Sequence, residues 1–311
     1  TATYTALINK AADAGYRIIF LLTGTIEKLR RQTQSRLDEG FVGLDSTAFT
    51  KNKDTVYIGV GEINSSISGW AVTSTSSDFN TSTVSKLSGK LSGITNPVLF
   101  VLKKNTSVLS KLETWLRVYN ANPKINLPML LIDDEADNAS VNTRSDEDPT
   151  TINANIRKLL QLFVKANYVG FTATPYANIF INPDSNKEML EDDLFPKDFI
   201  YALEPPSNYV GARSIFSEDV KHSYMLKSND DCEYYLPSKH PNDYDFKNIP
   251  ESLKEAIVSF FIGNVIRDLR GHEKKHRTML INISRFINVQ ESIKKTLDIY
   301  VREFQREVKN H

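Results

Sequence analysis

The segment Met129-Leu130-Leu131-Ile132-Asp133-Asp134-Glu135-Ala136-Asp137 joins an apolar run of strand character to a cluster of carboxylates. In a parallel sheet the ligand site lies at the carboxyl ends of the strands. Acidic side chains therefore fall where a nucleotide's phosphates and their Mg²⁺ would sit. Asp134 is expected to hold Mg²⁺, usually through water. Glu135 suits the task of orienting and deprotonating an attacking water, which needs a carboxylate that the metal does not fully neutralise. The competing reading is a solvated acidic turn after a strand. A second apolar run ends in Gly170-Phe171-Thr172-Ala173-Thr174-Pro175. The hydroxyls of Thr172 and Thr174 at that strand end can hydrogen-bond the acidic segment, with Asp137 as the partner that would relay the state of the site.

Other constellations are weaker. His272-Glu273-Lys274-Lys275-His276 has the H-E-x-x-H spacing of a zinc helix, but it follows Gly271, is rich in lysine and has no evident third ligand, so a solvated connector is the better reading. Gly59-Val60-Gly61 lacks the third glycine of a dinucleotide fingerprint, since position 64 is Asn64. A nuclease centre would need carboxylates and a lysine converging on a metal. Asp184 with Asp245 and Lys247 is the best set for that, and neither part lies on a convincing core strand.

The elements that would position the acidic segment follow from periodicity. Residues 2–14 carry Ala6, Leu7, Ala11 and Ala14 at helical spacing, with Gly15 as a stop. Arg17 to Thr23, Pro97 to Asn105, Pro128 to Asp134 and Tyr168 to Thr174 are short apolar runs of the kind buried in parallel sheets. Helical patterns separate them, with Leu109, Leu112, Trp115 and Leu116 in one and Ile156, Leu159, Leu160 and Phe163 in another. This alternation predicts an α/β fold, a parallel sheet with helices on both faces. The Ser/Thr-rich stretch 64–93 is too polar to be expected in a core and reads as edge strands and surface loops. Three regions are expected: a sheet domain over 1–185, a connector or irregular subdomain over 186–250, and the beginning of a second α/β unit over 251–311. In the last, residues 251–271 read as an amphipathic helix, 278–284 as a buried strand and 286–308 as a further helix.

Composition excludes several classes. Lys+Arg and Asp+Glu both total 38, so nucleic-acid contacts would need local patches such as Lys294, Lys295, Arg302 and Arg306. A single cysteine, Cys232, rules out an internal disulfide framework and a multi-cysteine zinc site. No run is long and apolar enough to span a bilayer and no secretory leader is legible, so a cytoplasmic protein is expected.

The Asp134-Glu135-Ala136-Asp137 and Thr172-Ala173-Thr174 segments, at their spacing, resemble motifs II and III of superfamily 2 helicases and translocases. Thr23-Gly24-Thr25 with Leu29-Arg30-Arg31-Gln32-Thr33-Gln34 looks like motif Ia. That resemblance implies that Thr23, Gly24, Arg30, Arg31 and Gln34 touch a nucleic-acid backbone; the residues alone equally describe an ordinary exposed helix. Asn282-Ile283-Ser284-Arg285 resembles the segment that opens a second RecA-like domain. More narrowly, KAADAGYRIIFLLTGTIEKLRRQTQSRLD, LLIDDEADNASVN, GFTATPYANIFINP and MLINISRFINVQ look like the Z-one domain family, helicase-like ATPases often labelled endonucleases.

The resemblance implies a RecA-like fold, ATP and Mg²⁺ as cofactors, movement on double-stranded DNA, and a nuclease partner in a restriction or defence system. The alternatives are a non-catalytic module that docks a nuclease, or a nuclease itself. No G-x-x-x-x-G-K-[ST] loop is present, the one Gly-Lys pair being Gly89-Lys90. In such proteins that loop directly precedes the first helix, so Thr1 is expected to be, or to follow, its terminal threonine and to line the nucleotide site. Motifs V and VI would lie beyond His311.

Overall fold

The computed structural model describes residues 2–47, 55–66, 69–80, 84, 91, 93–120, 124–142, 150–182, 186–187, 191–217 and 223–310. The chain divides into two compact units, Thr1–Ala202 and Leu203–His311. Thr1 itself, and Asp184 of the nuclease-like set, lie outside the described residues.

In the first unit, β1 (Ile18–Thr23), β2 (Trp70–Ala71), β3 (Val98–Lys103), β4 (Met129–Asp134) and β5 (Ala166–Phe171) form one sheet in the order β2-β3-β1-β4-β5. Every pairing is parallel. β1 lies between β3 and β4 and all six of its residues are buried, as its continuous apolar run requires.

Alternate side chains of these strands divide two cores. Phe20, Phe100 and Leu131 face α3 (Thr106–Asn120) and α4 (Thr151–Gln161), whose Leu109, Leu112, Trp115, Ile156 and Leu159 close that side. Ile19, Val101 and Ile132 face the other side, covered by Tyr4, Ile8 and Ala11 of α1 (Ala2–Asp13) and by Leu37, at the end of α2 (Glu27–Leu37). An all-parallel five-stranded sheet with helices on both faces is consistent with a RecA-like α/β fold.

One expectation for this unit needs correction. The polar stretch 64–93 contributes to the core, because Val72, Phe79, Val84 and Leu91 pack in the first cluster. Its buried hydroxyls are tolerable because they are hydrogen-bonded: Thr73 donates to Gln34 and accepts from the Val101 amide.

In the second unit, residues from the expected connector build the core. Leu236, Phe246 and Ile249 pack with Val289 and Ile293 of α6 (Ile287–Asn310). Residues 278–284, expected as a buried strand, join no ladder, and Leu280 is 88% exposed. A strand needs a neighbour to satisfy its backbone, and among the described residues of this unit none forms. The helix α5 (Glu251–Leu269) is apolar around much of its circumference instead of along one stripe. Ile257 is buried, while Ile262, Val265 and Leu269 are exposed. His272, Glu273 and His276 lie in an exposed turn after it.

Candidate active site

The carboxyl ends of β1, β3, β4 and β5 meet at one edge of the sheet, and the chemistry-bearing residues gather there. Five carboxylates and a lysine are involved, and each has a distinct environment.

Asp133 is the penultimate residue of β4 and is fully buried. Its carboxylate is 2.8 Å from the Nζ of Lys104, which follows β3, and accepts a hydrogen bond of 2.8 Å from the Tyr168 hydroxyl of β5. Burial, aided by the charge of Asp133, pushes the Tyr168 phenol well above its usual range, so it stays a donor. Lys104 had no part in the sequence reading, yet it is the cation at the centre of the site. It also donates to the main-chain oxygens of Glu135 (2.6 Å) and Asn138 (3.0 Å) and to the Ser140 hydroxyl (3.1 Å). Asn153 continues the network, donating to the Ser140 carbonyl at 2.9 Å and to Asp193 at 2.8 Å.

Asp134, the last residue of β4, is half-buried. Tyr4, in the first turn of α1, points its hydroxyl at the Asp134 carboxylate at 3.3 Å. Its ring stands edge-on to Phe171 at the end of β5, with centroids 5.6 Å apart. The amino end of α1 is thereby fixed beside Asp134.

Glu135 leaves the strand in a left-handed conformation, φ 57°, which costs an L residue about 1–2 kcal/mol and redirects the chain immediately after β4. The bend exposes the Glu135 side chain and brings its carboxylate against Gly24, at the end of β1: a β-carbon on Gly24 would lie 2.6 Å from Oε2. Glycine at that position lets the carboxylate rest on the backbone of the neighbouring strand end. Ala136 turns inward, its amide donating to Phe171 O at 3.0 Å.

Asp137 accepts from the Thr172 hydroxyl at 2.7 Å and from the Thr174 hydroxyl at 2.6 Å, while the Thr174 amide donates to Thr172 Oγ1 at 2.9 Å. These two hydroxyls hold the Asp137 carboxyl below the usual carboxylate range. Asp134, Glu135, Asp137, Thr172 and Thr174 are thus brought together at the ends of β4 and β5.

The residues expected to touch a nucleic-acid backbone separate into two groups. Arg30 has no exposed side-chain surface. It donates to Glu27 at 3.0 and 2.9 Å and to the carbonyls of Ser74 (2.9 Å) and Val101 (3.4 Å), and it lies 3.9 Å from Asp78. Gln34 is buried between Asp38 and Thr73. Thr23 is buried and donates to Leu102 O. Arg30 and Gln34 brace α2 against the sheet, because Arg30, Thr33, Gln34 and Leu37 form the inward stripe of the helix, while Thr23 ties β1 to β3. Gly24 abuts Glu135. Arg31, 56% exposed and paired with Glu27 at 3.1 Å, faces solvent.

The fold and site together define an α/β protein with a carboxylate-rich centre at the carboxyl edge of a parallel sheet. Residues 252–311, which begin within α5 and run through α6, match the Z1 domain family. No curated protein and no solved structure matches the chain. No helix among the described residues is long and apolar enough to cross a membrane.

Proposed function

We propose that this chain is the ATPase portion of a helicase-like enzyme that hydrolyses ATP with Mg²⁺ to translocate on or remodel duplex DNA, working beside a nuclease in a restriction or defence system. The hydrolytic part rests on one observation, the division of labour among adjacent carboxylates. Asp133 is committed to Lys104 and Tyr168, and Asp137 to two threonine hydroxyls. Asp134 and Glu135 form no ion pair among the described residues and stand half-buried and exposed at the sheet edge. Their oxygen atoms suit a hydrated divalent cation and a water, which fits Mg²⁺.

In this reading Asp134 would hold Mg²⁺, with the Tyr4 hydroxyl fixing the carboxylate's direction. Mg²⁺, when bound, would neutralise charge on the phosphates. Glu135 takes the proton of the attacking water. The hydroxyls of Thr172 and Thr174 tie the site to the end of β5 through Asp137. The reading also needs a phosphate-holding loop, which the family resemblance implies. Duplex DNA and the nuclease partner rest on that resemblance alone. Within the motif Ia-like segment, Arg31 supplies an exposed cation for a phosphate, beside the exposed Thr25 and Gln32.

The test is DNA-stimulated ATP turnover by the complete gene product, with and without Glu135→Gln. Loss of a general base costs about 10²–10⁴-fold in rate, so that loss with retained cooperative unfolding is expected. Turnover indifferent to the substitution would reject the assignment.

A further inference from the structure

Lys104 is a fully buried cation placed directly beneath the turn that carries Glu135. Its Nζ donates to three acceptors, the main-chain oxygens of Glu135 and Asn138 and the Ser140 hydroxyl, and is ion-paired with the Asp133 carboxylate at 2.8 Å. An ammonium has three protons, so this environment uses all of them. The other oxygen of Asp133 accepts from the Tyr168 hydroxyl, which fixes the direction of the carboxylate. The two carbonyls belong to a turn with two non-glycine residues in the left-handed region, Glu135 at φ 57° and Ala139 at φ 66°. Such a turn persists only when its surroundings over-determine it. Lys104 supplies two of the fixing contacts; the Asn138 amide, donating to Glu135 O at 2.9 Å, supplies a third.

We propose that Lys104 is the positioning residue of this site: anchored on Asp133, its ammonium clamps the carbonyls of Glu135 and Asn138 and so sets the bend that lays the Glu135 carboxylate against Gly24. The effect on turnover rests on the hydrolytic reading above; the effect on the backbone does not. A purely stabilising ion pair behaves differently. Replacing both members of a buried pair by well-packed hydrophobic residues of similar volume is often neutral for stability. Such a change still leaves the two carbonyls without their donor.

Two measurements separate these roles. On the unmodified chain, the Lys104 ammonium should be protected from solvent exchange in ¹⁵N NMR and show hydrogen-bond coupling to the Glu135 carbonyl carbon. A rapidly exchanging ammonium would overturn the proposal. The second uses the paired substitution Lys104→Met with Asp133→Asn, with folding checked by cooperative thermal unfolding. The Glu135 Cα shift should leave its left-handed value. In the complete gene product kcat should fall about 100-fold with KM for ATP nearly unchanged, since misplacing a reacting group by about 1 Å costs on that order. A folded double variant that keeps the Glu135 shift and wild-type kcat would overturn the proposal. If the unmodified gene product turns over no ATP, the hydrolytic reading fails and the NMR measurements alone decide the role of Lys104.

Discussion

Replacing Arg30 distinguishes a scaffold residue from a nucleic-acid contact more sharply than any other change in α2. Its guanidinium is fully enclosed and joins Glu27 and the Ser74 and Val101 carbonyls, with Asp78 at 3.9 Å. Arg30→Met keeps much of the volume, removes these donors, and leaves Asp78, which keeps the Phe79 and Lys103 amides, without its neighbouring cation where burial already pushes its carboxyl up. Breaking a buried pair from one side costs about 3–5 kcal/mol. Glu27 is partly exposed and water can replace one partner, so the lower half of that range applies. For a unit of this size each kcal/mol moves the thermal midpoint by about 2–4 °C, giving a fall of roughly 6–16 °C.

The loss also has a pH signature. The Asp78 carboxyl sits above its unfolded value, so the stability it contributes is present at low pH and lost as pH rises through the folded pKa. Arg30 opposes that rise in pKa. Without Arg30 the pKa climbs further, and the variant should be penalised more near neutrality than near pH 5. Arg31→Met, at an exposed position, should shift the midpoint by less than about 2 °C. Differential scanning calorimetry of both variants at two pH values reads all of this. An Arg30→Met midpoint within 2 °C of wild type at neutral pH would refute the buried-brace assignment, and loss of DNA binding without loss of stability would restore the contact role.

Three other outcomes follow from the site and its frame. Gly24→Ala puts a β-carbon 2.6 Å from Glu135 Oε2, so the carboxylate must swing away: turnover should drop at least about tenfold with an unchanged thermal midpoint, and undiminished turnover would show that this contact is idle. Thr172→Val removes the first of the donors that hold Asp137 low, so a ¹³C carboxyl titration should show its pKa moving up toward the ordinary value. Because the wild-type value is depressed, the associated stability is present above the ordinary carboxylate range and fades as pH falls, and Thr172→Val should lose less in acid than wild type. Burial pushes the Asp38 carboxyl from 3.8 up to about 6, against hydrogen bonds from Ser46 and Gln34. Wild type should therefore lose about 2–3 kcal/mol between pH 4 and 7 that Asp38→Asn does not, read as diverging urea midpoints.

The strands and the acidic site were legible for one physical reason. A six-residue run such as Ile18–Thr23 or Met129–Asp134 has few ways to hide its side chains except in a doubly covered parallel sheet. Carboxylates directly after such a run must then emerge at the sheet's carboxyl edge. The pairing of Asp137 with Thr172 and Thr174 follows from the same geometry, since adjacent parallel strands end side by side.

What sequence reasoning missed was which of two similar polar residues points inward. Lys103 and Lys104 are indistinguishable by type, but the alternation of β3 carried one step past its end makes Lys103 half-exposed and leaves Lys104 enclosed beneath the turn. Arg30 and Arg31 differ in the same way, and there the signal was available: Arg30, Gln34 and Leu37 share one helical stripe, and Leu37 must be buried. An arginine in register with a core leucine is a brace before it is a contact. By the same logic a lysine at a strand end, beside a buried aspartate on the adjoining strand, belongs to the site's frame, and its charge serves the turn above it rather than the solvent.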